Sequence, residues 1–248
     1  MTEEKDISSD IVYSIPIEES DKNIKPKFYA HVYDRSSSKN RIARQYRITT
    51  DQIPRIINDD LFVLDEILGD KVVVENPASK WYNDHIETAR QRYSGHLSKD
   101  VQRTQTGLCV HSSYPWLAAN IGEFADDGDM GKEEGKEKKE KKEIKRLSIA
   151  NFWSPYSQKM PKETPGDYIL KTAADLQITK REIGDIIIWT PYDCRIATVK
   201  KDNNEWRNFT FPKIKAFYQD KVIPAMIDSG IDPKTYYVLD LKEYYQVF

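Results

Sequence analysis

Apolar residues along this chain follow two spacings, one typical of strands and the other typical of helices. Over residues 27–33 they alternate with polar residues, which predicts a strand. Within residues 77–93, Trp81, Ala89 and Tyr93 recur on one face at multiples of four positions, which predicts a helix. The chain is therefore expected to combine strands and helices in one fold.

Further segments continue both patterns. Predicted strands cover residues 107–111, 114–124, 146–153, 185–191 and 194–200, the last two as a hairpin. Predicted helices cover residues 164–178 and 209–226, and two short helical pieces within residues 41–57 meet at residues 47–50. This order of elements predicts an α/β fold with a mixed central sheet flanked by helices on both faces.

Two segments lack either spacing. Residues 1–26 are rich in Glu, Asp, Ser and Lys and are predicted to be mobile, although residues 11–17 offer a candidate edge strand. Residues 125–146 form an insert of Lys and Glu punctuated by Gly, which is expected to be a solvated loop. An exposed helix, a nuclear localisation signal and a nucleic-acid contact are its alternatives. Residues 27–248 then form a single domain that carries this insert.

Composition narrows the classes of function. The chain has 248 residues, a formal net charge of −2 and a pI of about 6.1, so nucleic-acid binding would need a local basic patch. Cys109 and Cys194 are too few for a disulfide framework. The N-terminus does not resemble a signal peptide, and no apolar run reaches the about 20 residues that span a membrane. We expect an intracellular protein, cytoplasmic or nuclear, without a membrane partner.

Aromatic and histidine residues are expected to be structural. Large aromatics at strand positions are usually core residues, which is the prediction for Tyr114, Trp116, Phe152 and Trp189. The four histidines lack zinc-ligand spacing, so His85 and His111 are predicted to make polar contacts rather than to bind metal.

Four segments carry a family pattern in their order along the chain. They read WYNDHIETA from residue 81, GLCVHSSYPWLAANIG from 107, WSPYS from 153 and YILKTAADLQITKREIGDIIIWTP from 168, and Arg47-Ile48-Thr49 adds a weaker match. Together they resemble the YqaJ family of viral recombinase exonucleases, relatives of the lambda-type exonuclease within the PD-(D/E)XK nuclease superfamily. The resemblance covers residues 44–218 and implies a PD-(D/E)XK fold, also called restriction-endonuclease-like.

The resemblance also implies a kind of chemistry. Active members hold a divalent metal ion with an Asp at the end of one strand and a Glu on the next, followed two residues later by a Lys. A helical Glu and a helical Gln complete the site. Residues two apart lie on one face of a strand, so Glu and Lys address one phosphate. The metal ion polarises that phosphate and generates hydroxide.

Each of these positions holds a different residue in this chain. The Asp position is Ile121, the Glu position is Asn151, the Lys position is Trp153, the helical Glu position is Ile86 and the Gln position is Lys171. Isoleucine offers no metal ligand, asparagine at most one neutral oxygen, and tryptophan fills the volume that a metal ion and a phosphate would need. The resemblance therefore implies a degenerate nuclease that neither cleaves DNA nor needs a metal cofactor.

A relocated active site is the alternative. Glu143 and Lys145 form a literal Glu-x-Lys, with Asp126, Asp127 and Asp129 upstream, and Glu123 lies two residues beyond the lost Asp. A tract of Lys and Glu produces Glu-x-Lys by composition alone, and nothing around Glu143 predicts a strand. The alternative would be an active exonuclease that uses Glu123, Glu143 and Lys145 with Mg²⁺ or Mn²⁺.

The leading interpretation is a pseudo-nuclease that binds DNA or a protein partner. Candidate nucleic-acid contacts are Arg44, Arg47, Arg90, Tyr156 and Lys171. The acidic pI favours a protein partner, because strong DNA binding usually needs a basic surface. The toroidal trimers of lambda-type relatives make a homo-oligomer an open option. A structural or assembly protein without a nucleic-acid role is the third interpretation.

Overall fold

The computed structural model describes residues 28–31, 42–60, 62–69, 76–97, 101–105, 107–127, 147–237 and 245–247. The predictions for residues 1–26, including the edge strand at 11–17, lie outside the described residues. So does most of the charged insert.

The described strands form two five-stranded sheets. The first has the order β10-β1-β4-β5-β2, and the second has the order β3-β6-β7-β8-β9. Pairing is parallel between β2 and β5 and between β7 and β8, and the other neighbours are antiparallel. The strands are β1 Phe28–His31, β2 Ile48–Thr49, β3 Val101–Gln105, β4 Leu108–His111, β5 Leu117–Asn120, β6 Glu123–Asp127, β7 Leu147–Trp153, β8 Ile183–Trp189, β9 Cys194–Lys200 and β10 Tyr245–Val247.

Five helices surround these sheets in the described part of the chain. They are α1 Ile53–Ile57, α2 Val63–Leu68, α3 Pro77–Ser94, α4 Gly166–Thr179 and α5, which spans residues 203–228. Residues 42–44 and 233–237 add short helical turns. None of the described helices is both long enough and apolar enough to cross a membrane.

Helix α4 joins the two sheets. It contacts β4 and β5 of the first sheet and β8 and β9 of the second. Its buried Ala174 and Ile178 share one apolar cluster with Leu117 of β5 and Ile149 of β7. Lys180 ends the helix in the left-handed region, with φ of 58°. Because α4 touches both sheets, residues near its two ends can each meet residues from distant parts of the chain.

Helix α3 covers the other face of the second sheet. It begins at Asn76, whose side chain accepts a hydrogen bond from the Ser79 backbone N–H at 2.8 Å. On its inner face Tyr93 is fully buried, and its hydroxyl donates to Asp185 Oδ2 at 2.7 Å. Thr198 donates to the other oxygen of that carboxylate at 2.8 Å. The second sheet therefore has helices on both faces, as predicted.

Two widened turns interrupt α5. Trp206–Thr210 and Tyr218–Val222 are π-helical, and Pro212 and Pro224 follow them. A proline ring clashes with the carbonyl four residues earlier in a regular α-helix, which here falls inside each π-helical turn. Widening the helix at these places accommodates the two rings without ending the helix.

Several sequence predictions need correction. The run over residues 114–124 is not one strand but two, β5 and β6, which belong to different sheets. The break falls at Gly122, where a Cβ atom would overlap the Ala150 carbonyl oxygen and lie 2.8 Å from the Phe152 ring. The joint at residues 47–50 contains strand β2, and the described strands of the predicted mixed α/β fold are divided between two hydrogen-bonded sheets. Residues 125–127 end β6, so the insert begins after them, and α5 starts at residue 203 rather than 209.

The close approach of α4 to β8 can be tested at Gly184. A Cβ atom there would overlap the Thr172 methyl group and lie 3.3 Å from Ile149 Cγ1. We expect Gly184→Ala to lower the free energy of unfolding by about 1–3 kcal/mol, the usual cost of overpacking. Urea denaturation measures the change.

Gly166→Ala is the matched control, because no atom lies within 4 Å of the added methyl group. This substitution should leave stability unchanged or raise it by up to about 1 kcal/mol. If the two variants were equally stable, α4 and β8 would lie further apart than the close approach of Gly184 to Thr172 indicates.

Candidate functional site

A cleft of about 220 Å³ opens where α4 meets the ends of β5 and β7. Strand β5 supplies Asn120 and strand β7 supplies Asn151, while α4 supplies Tyr168 and Lys171. The lining residues are Asp51, Tyr82, Asn120, Gly122, Asn151, Phe152, Tyr168 and Lys171.

The ammonium group of Lys171 lies at the centre of four oxygen atoms. Its Nζ is 2.8 Å from Asp175 Oδ2, 3.0 Å from the Asn120 carbonyl oxygen and 3.4 Å from Asn151 Oδ1. Asp51 Oδ1 is 3.7 Å away. Only 12% of the Lys171 side chain is exposed. An ammonium has three N–H donors, so the three shorter contacts can use all of them.

Asp175 supplies the buried counter-charge. It lies four residues after Lys171 on α4, and its side chain is fully buried. Asn151 Nδ2 donates to Asp175 Oδ2 at 2.7 Å and is 3.1 Å from Thr172 Oγ1. Burial raises the pKa of Asp175, and Lys171 opposes that shift by favouring the carboxylate. The lysine, the aspartate and the asparagine amide thus form one connected network.

Asp51 lines the cleft and is partly exposed to solvent. Asn120 Nδ2 donates to Asp51 Oδ2 at 2.7 Å, and Arg44 Nη2 lies 3.9 Å from that same oxygen. The carboxylates of Asp51 and Asp175 therefore face the cations of Arg44 and Lys171. Positive and negative charges are close to balanced across the cleft.

The five residues that the resemblance places at the family's catalytic positions separate in the structure. Asn151 and Lys171 meet in the cleft, and Trp153 lies beside it, stacked on Tyr168 with ring centroids 4.9 Å apart. Ile121 is fully buried in the apolar cluster that contains α4 residues. Ile86 packs against the cluster beneath α3. Two of the five positions therefore face the cleft directly, and two contribute apolar packing.

The described residues of the relocated-site alternative, Glu123, Asp126 and Asp127, do not line this cleft. Glu123 is fully buried, and its Oε1 lies 2.9 Å from Arg90 Nε of α3. It pairs with Ala150 in the sheet, so it faces away from Asn151, the next residue along β7. Glu143 and Lys145 lie outside the described residues, as does Asp129, and Asp126 and Asp127 belong to β6. Among the described residues, no group of three or more His, Cys, Asp or Glu side chains could hold a metal ion.

The candidate nucleic-acid contacts occupy different environments. Arg47 is fully buried and donates from Nε to the Pro115 carbonyl oxygen at 2.8 Å, so it contributes to core packing. Arg90 is paired with Glu123, and Lys171 with Asp175. Arg44 is 37% exposed and Tyr156 is 57% exposed. Of these five, Arg44 and Tyr156 reach furthest into solvent.

The predicted structural aromatics are buried. Trp116, Phe152 and Trp189 are all in the core, which confirms that prediction, and Tyr114 is half-buried. His85 stacks between Trp81 and Trp189, with centroid distances of 3.8 Å and 5.3 Å.

Sequence patterns missed Asp51, Asn120 and Asp175. Asp175 had a local signal, because it follows Lys171 by one helical turn inside an otherwise apolar stretch. Asp51 and Asn120 had none. They come together only because β2 pairs in parallel with β5, at residues 48–49 against 117–118.

Comparison with known proteins identifies the kind of scaffold. The family model described as the YqaJ-like viral recombinase domain matches residues 30–182, more than half of the chain. This match begins earlier and ends earlier than the resemblance over residues 44–218. No curated protein matches the chain.

Solved structures show the same fold. The crystal structure of an alkaline exonuclease, LHK-Exo from Laribacter hongkongensis, has a TM-score of 0.57 at 13% identity, covering 78% of this chain and 98% of that chain. LHK-Exo in complex with dAMP gives a TM-score of 0.58 at the same identity and coverage. A phage related exonuclease from Haemophilus somnus 129PT has a TM-score of only 0.44 at 10% identity, covering 73% of this chain and 96% of that chain. The mixed α/β fold is thus that of the LHK-Exo exonuclease.

The Lys171–Asp175 pair predicts a stability change that depends on pH. Lys171→Met leaves the buried carboxylate of Asp175 without its cation, so we expect a loss of about 3–5 kcal/mol at pH 7. Lys171→Met with Asp175→Asn should recover most of that loss, because no buried charge remains. Urea denaturation of both variants measures these differences.

The direction in which stability changes with pH follows from the pKa of Asp175. Its folded-state pKa is raised above the unfolded value, so stability falls as pH rises from the unfolded pKa through the folded one. Lys171→Met raises that pKa further, and its destabilisation should therefore be smaller at pH 5 than at pH 7. A penalty that is independent of pH would contradict the pairing.

Proposed function

Because this chain belongs to the YqaJ-like viral recombinase family, we propose that it is a non-cleaving, exonuclease-like protein that binds a partner through the family scaffold. The observation that carries the proposal is the position of the Lys171 ammonium group. It lies among oxygen atoms of Asp51, Asn120, Asn151 and Asp175, where a cation is already provided by the chain itself.

A divalent metal ion does not fit this arrangement. Mg²⁺ requires oxygen ligands at about 2.0–2.1 Å in near-octahedral geometry, and the oxygens here surround an ammonium nitrogen instead. A second cation in the same volume would be repelled by the lysine and would compete with it for Asp175. An ammonium neutralises carboxylates, but it cannot lower the pKa of a bound water as a metal ion does. In this proposal the chain has the cleft but lacks a metal ion that would activate water for hydrolysis.

The charge balance of the cleft favours a protein partner. Arg44 and Lys171 are already matched by Asp51 and Asp175, so little positive charge is left there for a phosphate backbone. A net charge of −2 agrees with this. Nucleic acid is the second candidate, supported by the fold shared with an exonuclease whose structure holds dAMP. The scaffold could also bind a second copy of this chain.

The runner-up function is a metal-dependent exonuclease with relocated ligands. It would need Glu123 to leave Arg90 and to turn towards the face of the sheet that carries Asn151. That rearrangement would separate Glu123 from Arg90 and carry a buried carboxylate to the other face of the sheet, so this function is less favoured.

We expect no loss of linear duplex DNA when the purified protein is incubated with Mg²⁺ or Mn²⁺. Release of acid-soluble nucleotides from end-labelled duplex DNA is the measurement, with an active exonuclease as the positive control. Metal-dependent release that disappears in Glu123→Gln, Glu143→Gln or Lys145→Gln would overturn the proposal and support the relocated site. Release that these variants leave unchanged would point to a contaminating nuclease.

A gel shift separates the two kinds of partner. Binding of uncleaved DNA that weakens steeply between 50 mM and 200 mM salt, as phosphate contacts do, would assign nucleic acid as the partner. With duplex DNA whose 5′ ends carry hydroxyl groups, absence of a shift at the lower salt concentration is the result that the balanced cleft predicts.

A further inference from the structure

A second, larger pocket lies at the other end of α4. Its volume is about 460 Å³, within the range of small-molecule sites. It is bordered by the end of β4, the end of α4, the residues after β9 and the start of α5. Lys171 and Lys180 are nine residues apart on α4 and its C-cap, which corresponds to about 14 Å along the helix axis. The pocket is therefore separate from the cleft.

Three cations line this pocket. Lys180 and Arg207 have no carboxylate partner in the part of the chain that the structure describes, and Lys201 lies 3.2 Å from the mostly exposed Glu182. No acidic residue is among the described lining residues. The pocket therefore has an excess of positive charge, in contrast to the balanced cleft around Lys171.

The hydrogen bonds of His111 fix the position of its proton. Its Nδ1 accepts from the backbone N–H groups of Ser113 at 3.0 Å and Tyr114 at 3.2 Å, so Nδ1 carries no proton. Burial, and then the nearby Lys180, lowers the pKa of His111 to about 3, so the ring is neutral at pH 7. The single proton of a neutral ring is then on Nε2, which makes Nε2 a donor.

This Nε2–H group points at another donor. Lys180 Nζ lies 3.0 Å from His111 Nε2, and a charged ammonium has no lone pair to accept the proton. An anionic oxygen beside the pair, about 2.8–3.0 Å from each nitrogen, would accept from both groups. Burial, and then Lys201, lowers the pKa of Lys180, and an anion bound beside the ammonium would offset both effects. A bound anion would accept a hydrogen bond from each group and offset the positive charge of the pocket.

An aromatic surface borders the same pocket. Tyr114 and Phe211 have ring centroids 5.0 Å apart, and Trp206 and Phe211 have centroids 5.7 Å apart. Trp206 and Arg207 are adjacent in the first π-helical turn of α5, a kind of turn that is frequent at functional sites. A ring can thus stack within reach of the cations.

We propose that this pocket binds a phosphate monoester that carries an aromatic ring, the chemistry of a 5′-nucleotide, either free or at the end of a strand. The phosphate accepts from Nε2 of His111, from Lys180 and from Arg207, and the ring lies against Trp206. The site does not depend on the cleft, so it stands whether or not the protein cleaves DNA.

Isothermal titration of the full chain with thymidine 5′-monophosphate tests the site. We expect binding that Lys180→Gln and Arg207→Gln each weaken by at least about tenfold, as expected for a charge-assisted contact. Arg207 is exposed, so its substitution should not disturb folding. Lys213→Gln is the matched control, because it removes the same charge from an exposed position of α5 outside the pocket, and it should change affinity less than twofold.

Other ligands test the phosphate contact, the ring contact and the source of the nucleotide separately. Thymidine should bind at least about tenfold more weakly than its monophosphate, and Trp206→Leu should weaken the monophosphate but not inorganic phosphate. Binding of a 5′-phosphorylated oligothymidylate, but not of its 5′-hydroxyl form or the free nucleotide, would assign the source to strand ends. Binding by neither nucleotide nor oligonucleotide, or equal weakening by Lys213→Gln, would overturn the proposal. Equal affinity for inorganic phosphate and the monophosphate would also contradict it.

Discussion

The ion pair between Lys171 and the buried carboxylate of Asp175 is the constraint on which the candidate site depends. Burial disfavours the charged form of the Asp175 carboxylate, and no cation other than Lys171 contacts Asp175 among the described residues. The same ammonium also contacts the end of β5 through Asn120 and the middle of β7 through Asn151. One side chain therefore links α4 to both sheets and fills the volume at their junction.

Lys171 and Lys180, which lie near the two ends of α4, have different surroundings. At Lys171 the cation is surrounded by the oxygens of four residues, so it serves the internal structure of the protein. At Lys180 the ammonium lies against a histidine in a pocket that two further cations line, and no carboxylate forms an ion pair with it among the described residues. A fold can keep its architecture while its sites change, and we propose that the cleft around Lys171 excludes a metal ion whereas the pocket around Lys180 binds an anion.

Local sequence patterns predicted the elements whose apolar residues recur at a regular spacing or whose first residues are typical of a helix start. These include α3, which begins at Asn76 and Pro77, and the buried strands β7 and β8. The division of residues 114–124 between two sheets was missed, since it depends on the contact between Gly122 and Ala150, far along the chain. The cleft was predicted only at Asn151 and Lys171. The other polar residues of the cleft come together through strand pairings that no short stretch of sequence encodes. The same holds for the residues of the pocket around Lys180.

The most direct measurement of the central claim is an anomalous difference map from crystals of the unaltered protein soaked in Mn²⁺. If Lys171 supplies the cation of the cleft, the map shows no peak between Asp51 and Asp175, and the Lys171 side chain stays within hydrogen-bond distance of Asp175. A Mn²⁺ peak at coordination distance from both carboxylates, with Lys171 turned away, would contradict the account.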